Sequence, residues 1–320
     1  MLLLHGIDGL IHAPAGAAMT IGNFDGLHLG HRAAIDACRR HRDENGAPVV
    51  VVTFEPHPLT VLRPSAVPPR LTPASLKEEL IESLGVDAYV VLAPEPGVLN
   101  LTAEDFWKIL RDQTRPRILV EGMNFNFGKG RGGNVRNLAE WCAGSEVRFQ
   151  LIEPISVAML DLKLAPVSSS LVRWLLSNGR VRDAAICLGR PYRLRGPVVS
   201  GFQRGRALGT PTANLQCNDQ LIPADGIYAG RCIVDSRSYP AAVSIGDMPT
   251  FGGNVRQIEA HLLDFEGDLY GQSLDLDLID WLREQTKFSS ADALKAQIEQ
   301  DIIETRRRID LDPAQPIVAV

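Results

Sequence analysis

The sequence predicts an α/β fold in two parts: a mostly parallel sheet flanked by helices, then a small antiparallel β-barrel with a terminal helix. Three observations carry that prediction. Apolar runs of strand length alternate with stretches of helical spacing from residue 18 to about 185. After Pro191 the runs shorten and are separated by Gly, Pro, Asn and Asp. The chain has 320 residues, more than one hydrophobic core usually organises.

In chain order, the runs at 18–22 (AMTIG), 48–54 (PVVVVTF), 87–93 (DAYVVLA), 117–122 (RILVEG) and 146–152 (EVRFQLI) read as buried strands. Helical spacing covers 31–42, 75–85, 102–113 and 134–143. Strand and helix in turn require crossovers, hence parallel pairing, and ligands of such sheets gather at the carboxyl ends of the strands. SSSLVRWLLSNG (168–179) and VRDAAICLG (181–189) read as two short helices closing this half. The β-rich runs of the barrel lie at 192–200, 227–234, 239–245, 257–265 and 274–280. A last helix, about 290–308, has acidic residues early and Arg306–Arg308 in its final turn, matching the helix dipole. Domains are therefore expected at 1–187 and 188–320.

Composition narrows the function classes. Hydrophobic residues make up 45% and charged residues 22%, which excludes wholesale disorder. The net charge of -5 and the 6% aromatic content argue against nucleic acid as the main partner. Five cysteines, at 38, 142, 187, 217 and 232, form no Cys-x-x-Cys pair, so neither a disulfide framework nor a zinc site is expected. MLLLHGIDGL does not read as a signal peptide, and no apolar stretch approaches the roughly 20 residues of a membrane span. A soluble cytoplasmic protein is expected, with no membrane partner; its oligomeric state stays open, a homo-oligomer included.

GNFDGLHLGH (22–31) follows the first strand and opens the first helix. Gly22, Gly26 and Gly30 permit close backbone approach, and free amides at a helix N-terminus bind anions. His28 and His31, three apart, project to one side and can donate to phosphate oxygens; two histidines capping a turn is the plainer alternative. Ser168, Ser169 and Ser170 lie at another helix start, where simple N-capping reads first. Gly128-Lys129-Gly130-Arg131-Gly132-Gly133 satisfies G-x-G-x-x-G, but Met123–Phe127 separate it from its strand and it falls late in the sheet. No dinucleotide site is expected there. In the barrel half, GFQRGRALGTPTANL (201–215) is rich in turn formers. Gly201, Gly205 and Gly209 would let amides approach phosphates, while Thr212 and Asn214 offer neutral oxygens to a hard cation.

Together these segments resemble the prokaryotic bifunctional riboflavin kinase/FMN adenylyltransferase (FAD synthetase) family. GNFDGLHLGH is similar to the His-x-Gly-His signature of the nucleotidyltransferase superfamily, and TFEPHPLTVL (53–62), EGMNFNFGKGRGG (121–133) and SSSLVRWLL (168–176) follow in family order. GFQRGRALGTPTANL, PADGIYAG (223–230), MPTFGG (248–253), IEAHLLDF (258–265) and DLYG (268–271) resemble the kinase half. The resemblance covers nearly the whole chain. It implies a nucleotidyltransferase Rossmann-like sheet followed by a six-stranded riboflavin-kinase barrel.

The implied reactions are phosphorylation of riboflavin by ATP in the barrel domain and adenylyl transfer from ATP to FMN in the first. FMN and FAD are then substrate and product, with Mg²⁺ or another divalent cation as cofactor. For adenylyl transfer the resemblance implies catalytic roles for His28, His31, Asn124 and Arg173, and phosphate or nucleotide contacts at Gly22, Phe24, Gly26, Gly30 and Ser168–Ser170. Phe54, Pro56, His57, Phe125, Phe127, Arg283 and Phe288 are the implied flavin contacts. In the kinase half Glu259 matches the catalytic glutamate, Thr212 and Asn214 the metal ligands, and Gly201, Gly205 and Gly209 the phosphate loop. This chain departs from the pattern at Asp247 and Met248, where family members commonly have Thr then Asn, and at Thr210, usually Phe. Two narrower readings stay open: adenylyl transfer alone with the barrel as a flavin-binding module, and a non-enzymatic flavin sensor.

Overall fold

The computed structural model describes residues 1–200, 210–247 and 256–311. The chain divides into two compact units, Met1–Pro68 with Ala74–Ser156, and Pro69–Pro73 with the residues from Val157 onward. This division of packing does not coincide with the functional boundary expected at 187/188.

The first unit is built on a six-stranded sheet. Its strands are β1 (Leu2–His5), β2 (Ala18–Ile21), β3 (Val49–Phe54), β4 (Ala88–Leu92), β5 (Ile118–Gly122) and, after the short pair β6 (Asn126–Phe127) and β7 (Gly133–Asn134), β8 (Arg148–Ile152). Their spatial order is β1-β4-β3-β2-β5-β8, every neighbour parallel. Five of the six match the apolar runs of the sequence. The sixth, β1, is a four-residue edge strand with mostly exposed side chains, so it leaves no apolar run to read.

Continuous apolar runs arise because both faces of the sheet are covered. Val50 and Val52 join Met19, Leu92 and Leu119 in one apolar layer, while Val49 and Val51 join Ala18, Ile35 and Val120 in the other. The helices Leu29–Asn45, Ala74–Ser83, Ala103–Lys108 and Val135–Ala143 fall where helical spacing predicts them. The order of the sheet reverses between β2 and β5, because β3 and β4 lie to one side of β2 and β8 to the other side of β5. Such a reversal opens a crevice at the carboxyl ends of the two strands.

In the second unit β9 (Ser156–Ala158) and β10 (Leu164–Pro166) form a two-stranded sheet at its start. The strands β11 (Tyr192–Val199), β12 (Ala213–Leu215), β13 (Gly226–Val234), β14 (Arg237–Asp247), β15 (Arg256–Leu262) and β16 (Ser273–Arg283) close into a barrel of order β11-β12-β15-β14-β13-β16. Every pairing between neighbours is antiparallel. The helices Ser169–Ser177 and Val181–Leu188 bury Val172, Leu175, Leu176 and Leu188 in the same apolar cluster as Tyr192, Tyr228 and Leu276 of the barrel. A further helix, Ala291–Leu311, follows the barrel. No helix among the described residues is long and apolar enough to cross a membrane.

The last helix is fastened to the barrel by charge. Arg283 at the end of β16 donates from Nε and Nη2 to the two carboxylate oxygens of Asp301, at 2.9 and 2.7 Å. Arg308 pairs with Asp280 from the other end of the helix at 2.5 Å. The Arg283–Asp301 pair is bidentate, and such pairs hold geometry as well as energy. Asp301→Ala is expected to lower the stability of the second unit by about 2 kcal/mol. Denaturant unfolding measures the loss, and hydrogen exchange should rise first in residues 291–311.

Candidate functional site

The turn between β2 and the helix Leu29–Asn45 is conformationally unusual. Phe24 and Leu27 hold positive φ angles of 48° and 43°, and Gly26 one of 85°. Left-handed backbone at non-glycine residues is costly and clusters where a function requires it. His28 is the N-cap of the helix, and its Nδ1 accepts the N–H of His31 at 3.4 Å, which leaves Nε2 as the proton-bearing nitrogen. The imidazoles of His28 and His31 stack with centroids 3.7 Å apart and planes 17° from parallel. Gly30 makes room for this: a Cβ there would stand 3.1 Å from Cε1 of the His28 ring. Phe24 is a buried core residue whose ring lies 5.1 Å from that of His31, so it supports the pair from the apolar side. Two imidazoles and the first amides of a 17-residue helix thus converge at the reversal of the sheet, an arrangement suited to phosphate.

The segment after β3 joins this turn. The Asn23 amide lies 3.3 Å from His57 Nε2, and Thr53 Oγ1 donates to the Asn23 carbonyl at 3.2 Å. His57 Nδ1 accepts from the amide of Leu59 at 3.1 Å, which sets the ring orientation. Lys77, only 4% exposed, donates to Glu55 at 2.7 Å and to the Asn23 carbonyl at 3.4 Å. The Glu55–Lys77 pair escaped sequence reasoning, since the partners are 22 residues apart on different elements. Phe54 is half-buried and Pro56 exposed. Glu121, near the end of β5, is 2% exposed and accepts the N–H of Ile21 at 2.8 Å. Burial pushes its carboxyl well above the usual carboxylate range. A carboxyl inside the apolar run RILVEG was a visible signal that sequence reading passed over.

Beyond β5, Asn124 is exposed, and its carbonyl accepts from Asn126 Nδ2 at 2.7 Å. Phe125 stacks on Phe127 at 5.3 Å. Phe127 itself is buried among Phe106 and Trp141, so of the two rings Phe125 is the more available to a ligand. The Gly128–Gly133 segment is a loop with a short 3₁₀ turn at Lys129–Arg131.

In the second unit, Ser168 caps the helix Ser169–Ser177 by accepting from Leu171 at 3.2 Å, and Arg173 Nε donates to the Pro69 carbonyl at 2.7 Å. Both therefore hold local structure. Arg283, bound to Asp301, also has its guanidinium 5.8 Å over the ring of Phe288.

The barrel brings Asn214 and Glu259 directly together. They are cross-strand partners in the β12–β15 ladder, and Ser244 of β14 is the partner of Glu259 on its other side. Their neighbours Ala213, Leu215, Ile258 and Ala260 belong to the apolar cluster of the barrel, so the polar row faces the opposite way. Gln285 Nε2 extends the row with a 3.0 Å bond to Ser244 Oγ. Thr212 lies just ahead of β12, two residues before Asn214. It lines a concavity with Val198, Leu262, Phe265, Leu269 and Tyr270. His261 Nδ1 lies 2.8 Å from the Pro211 carbonyl and holds the chain just ahead of Thr212. Asp247 is the register partner of Arg256, whose guanidinium binds Asp225. Gly201, Gly205, Gly209 and Met248 lie outside the described residues.

The family model described as riboflavin kinase matches residues 188–309, and that described as FAD synthetase matches 10–170. The bifunctional riboflavin kinase/FMN adenylyltransferase of Escherichia coli K12 is 35% identical over 309 residues, covering 96% of this chain and 97% of the relative. The protein of the same description from Pseudomonas fluorescens is 36% identical over 308 residues, with the same coverage. A crystal structure described as a macrolide-efflux protein from Streptococcus pneumoniae superposes with a TM-score of 0.86 at 27% identity, covering 96% of this chain and 99% of that one.

The buried Glu121 carboxyl makes stability depend on pH with a definite sign. Its proton is held in the folded state above the unfolded value of about 4.3, so stability falls as pH rises from there through the folded pKa. Glu121→Gln removes that dependence. Denaturant unfolding at pH 5 and pH 8 should show the variant gaining on the wild type at the higher pH; a gap independent of pH would contradict the burial argument.

Proposed function

This chain belongs to the bifunctional riboflavin kinase/FMN adenylyltransferase family, and from that premise we propose which of its residues carry each reaction. It is a transferase with two ATP-using activities on flavins, making FMN from riboflavin and FAD from FMN. We place the functional boundary at 187/188, supported by the start of the riboflavin kinase match at residue 188.

For adenylyl transfer the observation that carries the assignment is the stacked His28–His31 pair at the N-terminus of the helix Leu29–Asn45. An FMN phosphate oxygen attacks the α-phosphate of ATP, and pyrophosphate leaves. That nucleophile is already anionic near neutral pH, so no base is required, and catalysis is positioning plus stabilisation of phosphate charge. The two imidazoles and the amides from Gly22 to Gly30 hold the phosphates. Ser168–Ser170 and Arg173 serve the pyrophosphate, Asn124 orients phosphate or flavin, and Phe54, Pro56, His57 and Phe125 contact the flavin, with Phe127 behind Phe125.

For the kinase the nucleophile is a neutral ribityl hydroxyl, so a base helps. Glu259 takes its proton as the oxygen attacks the γ-phosphate and ADP leaves. The donor set assigned to the cation, the Thr212 hydroxyl and the Asn214 side-chain carbonyl, consists of hard neutral oxygens two residues apart in sequence, a chemistry that fits Mg²⁺. Mg²⁺ takes few protein ligands, so phosphate and water would complete its shell. Bound there, a divalent cation offsets charge on the transferring phosphoryl group. Gly201, Gly205 and Gly209 supply amides to the phosphates. Arg283 and Phe288 complete the flavin side, where the Asp301 pair fixes the guanidinium.

The two assignments are separable. His28→Ala should cut FAD formation from FMN by about 10²-fold and leave riboflavin phosphorylation within about twofold. Glu259→Gln should do the reverse, with a loss of about 10²–10⁴ in FMN formation. Chromatography of the flavins measures both, and loss of both activities from either change in a folded protein would contradict the assignment. Chelating divalent cations should stop FMN formation, and added Mg²⁺ should restore it.

A further inference from the structure

The separation of β2 from β5 leaves a backbone donor that the ladder cannot satisfy. Ala18 N donates to the Pro48 carbonyl and Gly22 N to that of Val52, so even-numbered amides of β2 face β3. The odd-numbered ones, Met19 and Ile21, face β5. Pairing with β5 covers only Ala18–Ile118 and Met19–Leu119, although β2 stays paired with β3 through Ile21 and β5 with β8 through Gly122. The amide of Ile21 thus lies beyond the last pair, in the crevice. It donates instead to Glu121 Oε1 at 2.8 Å. Ile21 immediately precedes the 22–31 turn that holds the histidine pair.

We propose that Glu121 is a positioning residue for adenylyl transfer: its carboxyl replaces the missing ladder bond at Ile21 and fixes the point from which the 22–31 turn departs. The proposal rests on the assignment of that turn to phosphate. Continued strand pairing would satisfy Ile21 but close the crevice, whereas a side-chain acceptor satisfies it and leaves the strands apart. Glu121 is 2% exposed, and among the described residues no cation stands within ion-pairing distance of it. A buried carboxyl without a cation keeps its proton, so it can stand near a polyphosphate without adding repulsion.

The test compares Glu121→Gln, which keeps an acceptor of the same shape, with Glu121→Leu, which keeps the volume and removes the acceptor. In the full chain, Glu121→Leu should raise the KM for ATP in FMN adenylylation about tenfold, with riboflavin phosphorylation unchanged and Glu121→Gln within about twofold of wild type. Hydrogen exchange over residues 20–31 supplies a readout independent of activity: faster in the Leu variant, as wild type in the Gln variant. A Leu variant with lowered melting temperature but wild-type KM, kcat and exchange would make Glu121 a packing residue only. A Gln variant as impaired as the Leu variant would show that the hydrogen bond is not what matters. Either result overturns the proposal. If the wild type itself made no FAD from FMN, the assignment of the turn would fail, while the exchange comparison would still decide whether Glu121 holds it.

Discussion

Backbone hydrogen-bonding groups cannot be left unpaired out of reach of water, and beside each candidate site of this chain a strand ladder runs out of partners. In the first unit β2 leaves β5 after Met19, three residues before Gly22, and the glutamate of β5 takes the amide that β5 itself no longer reaches. In the second unit β12 is three residues long, and the carbonyl of Pro211 just ahead of it is met by the imidazole of His261 from β15. Each time a side chain of the neighbouring strand ends the ladder. In the first unit this fixes the point from which the turn proposed to bind phosphate departs.

The two sites differ because their nucleophiles differ. A phosphate oxygen arrives charged and needs donors, and the first unit offers two stacked imidazoles and a helix N-terminus. A ribityl hydroxyl must lose a proton, and the barrel offers a carboxylate set across the ladder from an amide oxygen. On the proposed assignments one chain carries two solutions to phosphorus chemistry, one chiefly electrostatic and one with a base.

Local pattern made most of the scaffold legible. The Val-rich run of β3 is buried on both faces, and such runs announce themselves. β1 did not, because an exposed edge strand has no apolar signature, and β12 did not, because its three residues follow Thr210, Pro211 and Thr212 in a turn-like string. The packing of Ser169–Ser177 and Val181–Leu188 with the barrel was equally hidden: helical spacing says that a face is buried, not what buries it. Of the candidate site, His28, His31, Asn214 and Glu259 were singled out by their motifs. Lys77, Ser244 and Gln285 were not, since each acquires its place only through a partner distant in sequence.

In this chain one polypeptide carries both transferase activities. A chromatographic time course of the purified wild-type protein with riboflavin, ATP and Mg²⁺ tests it most directly. FMN should rise first, and FAD should then accumulate at its expense. A time course in which riboflavin stays unphosphorylated, or in which FMN accumulates and no FAD appears, would contradict it.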